Sequence, residues 1–489
     1  MSSLTRQAAR GTALMSGAQL LLATSSYIVA VVLARGLGPA DYGVYGIIYS
    51  FLLSVELIGR LGISQAVARL VAERESIDAR LEGTGVTLVL AVNAIIFAAF
   101  WTGAGWLGEI FHIPENGRFL FRVAALDIPL YGTYFVLAEI LGGRRDFLSE
   151  SLGIALYSLA KVVGAAMLVA IGPTVVNALL LNVGASIVGV AWLAARVGRS
   201  ALTFNLDARA PIIRLAIPVA LGGIGTQLLS AIDLWSLNAI GTQLADQTKG
   251  FYVAATTLAR LPNLIAFVMA AVLIPSIGRA CAMGNPALVQ AAVRGAIRFL
   301  AVMLVPSCAL LAVEAEPIMA LLFSPDYREG ASLLRILVFA HGLFNTTFLT
   351  LIAILVAVNE SRRGAAIALA ILPVALLGNG LLIPLLGALG AALAALLATA
   401  TAALAAGVVV RRRVGTLCEP LVLIKTLLAS AAVCAVGALI PSSGLLTLVE
   451  LAGLGVAFLG LASVLGLITA ADLAPLLPTK LGVRFGLVP

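Results

Sequence analysis

Apolar stretches of about twenty residues recur from one end of this chain to the other, and that is the length an α-helix needs to cross the hydrocarbon core of a bilayer. The recurrence narrows the fold to an all-α, multi-pass integral membrane protein. With 61% hydrophobic and only 11% charged residues, a soluble fold would lack the charge to cover its water-facing surface. The first run, residues 11–34, is too long for the core of a secretory signal and lacks a convincing cleavage site, so it is expected to remain as the first span.

Gly, Pro and charge clusters divide the chain into about fourteen spans, starting near residues 11, 42, 84, 118, 150, 174, 212, 251, 292, 331, 363, 388, 420 and 445. If the N-terminus is cytoplasmic, most of the 31 Lys and Arg fall on the inner side, among them Arg6, Arg10, Arg144, Arg145, Arg298, Arg411, Arg412, Arg413, Lys425, Lys480 and Arg484. The positive-inside rule is then met loop after loop, and an even span count puts both termini in the cytoplasm. The net charge of +8 is therefore a topology signal, and no nucleic-acid partner is expected. Cys281, Cys308, Cys418 and Cys434 show no CxxC or Cys/His spacing. They are expected to be small packing residues, with neither a metal nor another cofactor.

An internal repeat organises the chain. "ARGLGPADYGVYG" (34–46) parallels "NAIGTQLADQTKGFYVAA" (238–255), with Gly38, Gly43 and Tyr45 matching Gly241, Gly250 and Tyr252. "HIPENGRFL" (112–120) parallels "FSPDYREGASLL" (323–334), and "GGRRD" (142–146) parallels "NESRRG" (359–364), at offsets that drift from 203 to 218. Each repeat holds six spans, so the two repeats are parallel, related by a pseudo-two-fold axis along the membrane normal. The expected units are a six-helix lobe over 1–205, a second over 206–415, and two additional helices with a cytoplasmic tail over 416–489.

"SVELIGRLGI" (54–63) places Glu56 and Arg60 inside a long apolar run, at the favourable order for an ion pair one turn apart. Such a pair can simply lock a helix to its neighbour. Tyr45, Tyr49, Glu56, Arg60 and Ser64 nevertheless share one helical stripe. Matching polar faces carry Ser16, Gln19, Ser26 and Tyr27 on span one, Thr226, Ser230 and Asp233 on span seven, and Thr256, Arg260 and Asn263 on span eight. Four polar faces at equivalent places in two halves are expected to line one central, hydrated cavity. Lys161, with Tyr157 one turn earlier, lies too deep in span five to snorkel. Arg60, Lys161 and Arg260 would suit an anionic passenger, with Glu56 and Asp233 offsetting part of the charge.

Other features have plainer accounts. His341 and Asn345 are expected to be packing residues, and Glu139, Glu150, Glu314, Glu316 and Glu450 to be solvated near span ends. "LGGIGTQ" (221–227) lies inside a span without a preceding strand, so it reads as small-residue helix packing rather than a nucleotide loop, as does 387–407. Pro218, Pro262, Pro306 and Pro373 are expected to kink or break spans.

"VVLARGLGPADYGVYGIIYSF" (31–51), "GISQAVARLVAERE" (62–75), "IPVALGGIGTQLLSAIDLWSLNAIG" (217–241) and "KGFYVAATTLARLPN" (249–263) resemble the polysaccharide-biosynthesis flippases, of the O-antigen and teichoic-acid exporter kind, within the multidrug/oligosaccharidyl-lipid/polysaccharide exporter superfamily. The resemblance covers residues 5–415. It implies a V-shaped pair of six-helix lobes that open alternately, and a polyprenyl-diphosphate-linked glycan as passenger. The implied setting is a bacterial-type cytoplasmic membrane, with membrane lipids and the pathway's glycosyltransferases or polymerase as partners. By similarity to lipid-linked peptidoglycan-precursor flippases, spans thirteen and fourteen would border a groove for the lipid tail.

Charge solvation forbids a diphosphate from crossing bare hydrocarbon, so a basic, wet path is what a flippase must supply. No NTP-binding motif is present, which leaves a Na+ or H+ gradient, the membrane potential or product removal as the energy source. Two other functions compete: a cation-coupled multidrug exporter of the same superfamily, and a membrane glycosyltransferase or glycan polymerase. The first favours acidic cavities, and the second needs a larger outer loop than "GLGPADYG".

Overall fold

The computed structural model describes residues 3–60, 62–74, 76–113, 116–199, 203–265, 277–417, 419–440 and 443–468. Cys418, Lys480 and Arg484 lie outside them, as do the side chains of Arg6, Arg10 and Pro218. Every regular element among the described residues is helical. In a bilayer this follows from the backbone, because a helix satisfies its own N–H and C=O groups without water.

The first half contains α1 (Ser3–Arg60), α2 (Ile63–Ala72), α3 (Ala79–Ile110), α4 (Gly117–Ala125), α5 (Asp127–Gly143), α6 (Phe147–Ile171) and α7 (Val175–Val197). Next come α8 (Arg209–Ile240), α9 (Asp246–Ala259), α10 (Pro286–Val313) and α11 (Ala315–Leu322). A tight helical turn (Pro325–Gly330) then leads through α12 (Ala331–Leu337) and a π-helical stretch (Val338–Asn345) into α13 (Thr346–Ala357). The last four are α14 (Ser361–Leu386), α15 (Ala388–Val414), α16 (Pro420–Gly437) and α17 (Leu446–Val464).

Eleven stretches of the described residues are long and apolar enough to cross a membrane, by length and composition. One of them, Ala13–Arg60, has 48 residues, or about 72 Å of helix, more than twice the hydrocarbon thickness. It is broken at Gly38, whose φ of 74° and ψ of 171° leave the helical region just before Pro39. The 32-residue α8 is not among the eleven.

One break differs from the expected continuous spans. Arg60 ends α1, and Ser64 belongs to the separate α2, capped by Gly62 at φ 80°. Glycine is required there twice over, by its positive φ and because a β-carbon would collide with the Ala216 carbonyl oxygen. Pro262 falls in a turn after α9, as expected for a residue that cannot donate to the helix ladder. Pro306 and Pro373 are carried inside helices.

Local geometry recurs between the halves. Asp78 caps α3 by accepting from the amides of Arg80 and Leu81, and Asn285 caps α10 by accepting from those of Ala287 and Leu288. The turn after α5 bonds Arg145 N to Gly142 O and Asp146 N to Leu141 O. The turn after α13 bonds Asn359 N to Val356 O and Glu360 N to Leu355 O. Both are Schellman turns with one left-handed residue, Arg145 at φ 63° and Asn359 at φ 61°. Geometry thus pairs Arg145 with Asn359, an offset of 214 rather than the 218 that matching the Arg-Arg letters suggested.

The chain forms two compact units, residues 1–254 with 372–391, and residues 255–371 with 392–489. In the first, α6 packs on α1 and α7, α5 on α2 and α7, and α8 on α1 and α2. Gln227 and Trp235 of α8 donate to the hydroxyls of Ser54 and Ser50 at 3.0 and 3.2 Å. Gly43 and Gly250, matched to one another by the repeat, are in contact: a β-carbon on Gly43 would stand 2.8 Å from the Gly250 amide nitrogen. One on Gly250 would collide with the Pro39 carbonyl oxygen. In the second unit α16 packs on α10 and α17. Arg298 and Lys425 close the end of α17 by donating to the carbonyls of Gly466, Leu467 and Leu465.

Candidate functional site

The first unit holds a cluster of buried charge. Glu56 and Arg60 arrive on the last two turns of α1, Asp127 opens α5, and Lys161 lies in the middle of α6. Glu56, Asp127 and Lys161 are each at most 4% exposed. An ionised group in hydrocarbon is stable only with compensation close by. That compensation comes from a different arrangement than the sequence suggested.

Glu56 and Arg60 do not form the expected one-turn ion pair; no contact between them reaches 4 Å. The Arg60 guanidinium lies 3.5 Å from the centre of the Phe135 ring and 5.7 Å from that of Tyr131, both on α5. Glu56 instead faces the carboxyl of Asp127, and Lys161 acts on both carboxyls through space. Lys161 donates to the Tyr49 hydroxyl at 3.2 Å and stands 5.3 and 5.4 Å from the ring centres of Tyr49 and Tyr157. Ser186 of α7 faces Asp127.

Aromatic rings wall this cluster. Tyr45 and Tyr49 stack at 5.4 Å, Tyr134 and Tyr157 at 4.9 Å, and Tyr131 meets Phe135 edge-on at 4.9 Å. Aromatic faces attract cations without neutralising them, so Arg60 and Lys161 are held in place yet keep their charge available. A second group of rings, Phe51, Phe100, Phe111, Phe121 and Trp235, packs beside the same arm of α1.

The remaining expected residues have separate settings. Asp233 on α8 is buried and accepts from the Tyr252 hydroxyl at 2.7 Å, both in the first unit. Gln19 and Tyr27 are half-buried on the first arm of α1. Arg260 and Asn263 belong to the second unit, at the turn that ends α9, both half-buried. There the Thr346 hydroxyl, with a single proton to share, lies within hydrogen-bond reach of both Asn263 Oδ1 and the His341 carbonyl oxygen. His341 and Asn345 are buried in the π-helical stretch, in keeping with a packing role.

Sequence reasoning missed Asp127, Ser186 and the rings of Tyr131 and Phe135. Asp127 had one signal, an isolated carboxylate within the apolar run 123–138. Two carboxylates expected to be solvated are in fact buried, Glu150 at 8% and Glu314 at 4% exposure. Glu316 is exposed as expected. Cys281, Cys308 and Cys434 are free, and among the described residues no group of three or more His, Cys, Asp or Glu could hold a metal ion.

A family model described as polysaccharide biosynthesis protein matches residues 32–332. The succinoglycan biosynthesis transport protein ExoT of Rhizobium meliloti (strain 1021) is 24% identical over 329 residues, which are 65% of this chain and 63% of that protein. Among solved structures, the lipid II flippase MurJ in an inward closed conformation superposes with a TM-score of 0.75 at 14% identity, over 92% of this chain and 98% of that one. An inward-facing multidrug resistance MATE family transporter of the MOP superfamily superposes with a TM-score of 0.66 at 16% identity, over 81% of this chain and 94% of that one. At such identities the likeness establishes the fold.

Proposed function

Since this chain belongs to the polysaccharide biosynthesis protein family, we propose that it is a flippase. Its passenger would be a polyprenyl-diphosphate-linked oligosaccharide, carried from the inner to the outer leaflet of a cytoplasmic membrane by alternating access. The observation that carries this reading is the pair of cations, half-buried Arg60 and buried Lys161, held by aromatic faces rather than by closed ion pairs. A guanidinium so held can exchange a ring for a diphosphate oxygen without first breaking a salt bridge. Glu56 and Asp127 keep the path near neutrality, and Arg260 is proposed as a further cation that meets the diphosphate. Gln19, Tyr27 and Asp233 serve its polar lining.

Topology follows the same proposal. Counting two spans within α1, one for α8 and one beginning at residue 251 raises the eleven stretches to fourteen, in two six-span repeats and a terminal pair. Even span number then returns both termini to the cytoplasm. Neighbouring enzymes would be the glycosyltransferases or polymerase that make and use the glycan.

The named superfamily relatives include drug transporters, and the buried Glu56–Asp127 carboxyl pair gives a second reading its footing, as a carrier of Na+ or H+ for an exporter. Sealed liposomes decide between them. With purified protein and a fluorescent polyprenyl-diphosphate oligosaccharide, label becomes accessible to an impermeant quencher, and Arg60→Ala or Arg260→Ala reduces that exchange at least tenfold. If several glycan lipids show no exchange while a cationic dye accumulates under an imposed ion gradient, the exporter takes its place.

A further inference from the structure

The turn after α5 contains a residue its backbone does not favour. Arg145 adopts φ 63°, where a β-carbon crowds the backbone and where helices ordinarily end in Gly or Asn. The same turn after α13 uses Asn359 at φ 61°, so the geometry can be built without a guanidinium. Arg145 is exposed and, among the described residues, its side chain makes neither a hydrogen bond nor an ion pair. Its neighbour Arg144 is committed: its Nε donates to Glu82 Oε1 at 2.7 Å and its Nη1 to the Val197 carbonyl at 3.2 Å. Strain kept at an uncommitted charged residue points to a role outside folding.

Arg145 lines a cleft of about 520 Å³ between the ends of α2 and α5, together with Glu73, Arg74, Ser76, Ile77 and Arg144. The Arg74 side chain is 59% exposed and only loosely paired, 3.9 Å from Asp78. Glu73 is already engaged by Arg69 at 3.2 Å. Two exposed guanidiniums and a serine therefore face a cavity in which, among the described lining residues, the one carboxylate has its own partner. Ile77, 65% exposed, adds an apolar side chain to the cleft beside the ends of α2 and α5.

We propose that this cleft binds the phosphate of an anionic membrane lipid, with Arg145 and Arg74 as its ligands. A guanidinium presents paired donors that match phosphate oxygens, and lipid phosphate is concentrated at the depth where the helices end. Ile77 rests on the glycerol and upper acyl region of the same lipid. The cleft is separate from the buried Arg60–Lys161 cluster, so the proposal stands whatever the passenger is.

Thermal unfolding of the full-length chain in neutral detergent tests it, with added short-chain phosphatidylglycerol, phosphatidylcholine or inorganic phosphate. Wild type gains stability with phosphatidylglycerol and not with phosphatidylcholine. Arg145→Asn unfolds at a higher temperature than wild type in detergent alone, because the turn is relieved, yet binds phosphatidylglycerol at least fivefold more weakly. Arg412→Asn, at a basic site elsewhere, leaves the lipid response intact. The proposal is overturned if Arg145→Asn keeps the full response, if Arg412→Asn loses as much, or if millimolar inorganic phosphate reproduces it, which would mark a free-anion site.

Discussion

The two units each bury polar groups in the membrane, but by different chemistry. In the first, four ionisable side chains meet, two carboxyls and two cations, and aromatic rings complete their surroundings. In the second, the Thr346 hydroxyl joins Asn263 to the His341 carbonyl across a π-helical stretch that also carries Asn345, and every side chain of the group is polar rather than ionic. A neutral network needs little from its surroundings once its donors are satisfied, so it suits a joint between helices. A charged one stays poised to exchange partners, which is what a path for an anion requires.

The largest break in that contrast comes from Lys161→Met. Removing the ammonium leaves Glu56 and Asp127 facing one another in hydrocarbon, and stripping one partner from a buried ionic group costs about 3–5 kcal/mol. The unfolding temperature in detergent falls accordingly, and adding Glu56→Gln with Asp127→Asn restores most of it. An unchanged temperature in the single variant would mean that the carboxyls already sit there uncharged. Smaller is Arg60→Lys, which keeps the charge but loses the flat face on Phe135. Stability drops by about 1 kcal/mol, while leaflet exchange of the glycan lipid falls several-fold. Smallest in function is Thr346→Val, which removes the hydroxyl shared between Asn263 and His341, a loss of about 1 kcal/mol, and leaves exchange as it was. Loss of exchange with normal folding in that variant would place the neutral cluster on the transport path and end the contrast.

Much of this was legible in advance. Run length alone gave a helical membrane protein, because hydrocarbon thickness fixes how many apolar residues a span must have. Glu56, Arg60 and Lys161 stood out since charge within such a run is costly, and Lys161 indeed meets Tyr157 one turn away. Their partners were not legible. Spacing along one helix predicts contacts at three and four residues, whereas Phe135, Asp127 and Ser186 come from other helices, and helix rotation is set by packing that no local pattern encodes. The Glu56–Arg60 spacing misled for that reason: a ring on α5 offered Arg60 a closer partner than its own helix did. The burial of Glu150 and Glu314 was missed because distance from a span's end measures depth in the membrane, not enclosure by neighbours. The repeat was expected from letters, which match Arg144–Arg145 with Arg362–Arg363, whereas the turns that share a left-handed residue stand at Arg145 and Asn359, four positions off that match.

Gly43 and Gly250 offer a last lesson. In a symmetric homodimer, a residue on the two-fold axis touches its own copy, and a single codon governs both sides of that contact. Here two separate positions of one chain share one close backbone approach: a β-carbon on Gly43 would crowd the Gly250 amide, and one on Gly250 would collide with the Pro39 carbonyl oxygen. Neither position can drift alone, because the backbone approach is forfeited once either is substituted. The second substitution then finds little left to lose, so Gly43→Ala and Gly250→Ala combined should destabilise by clearly less than their sum.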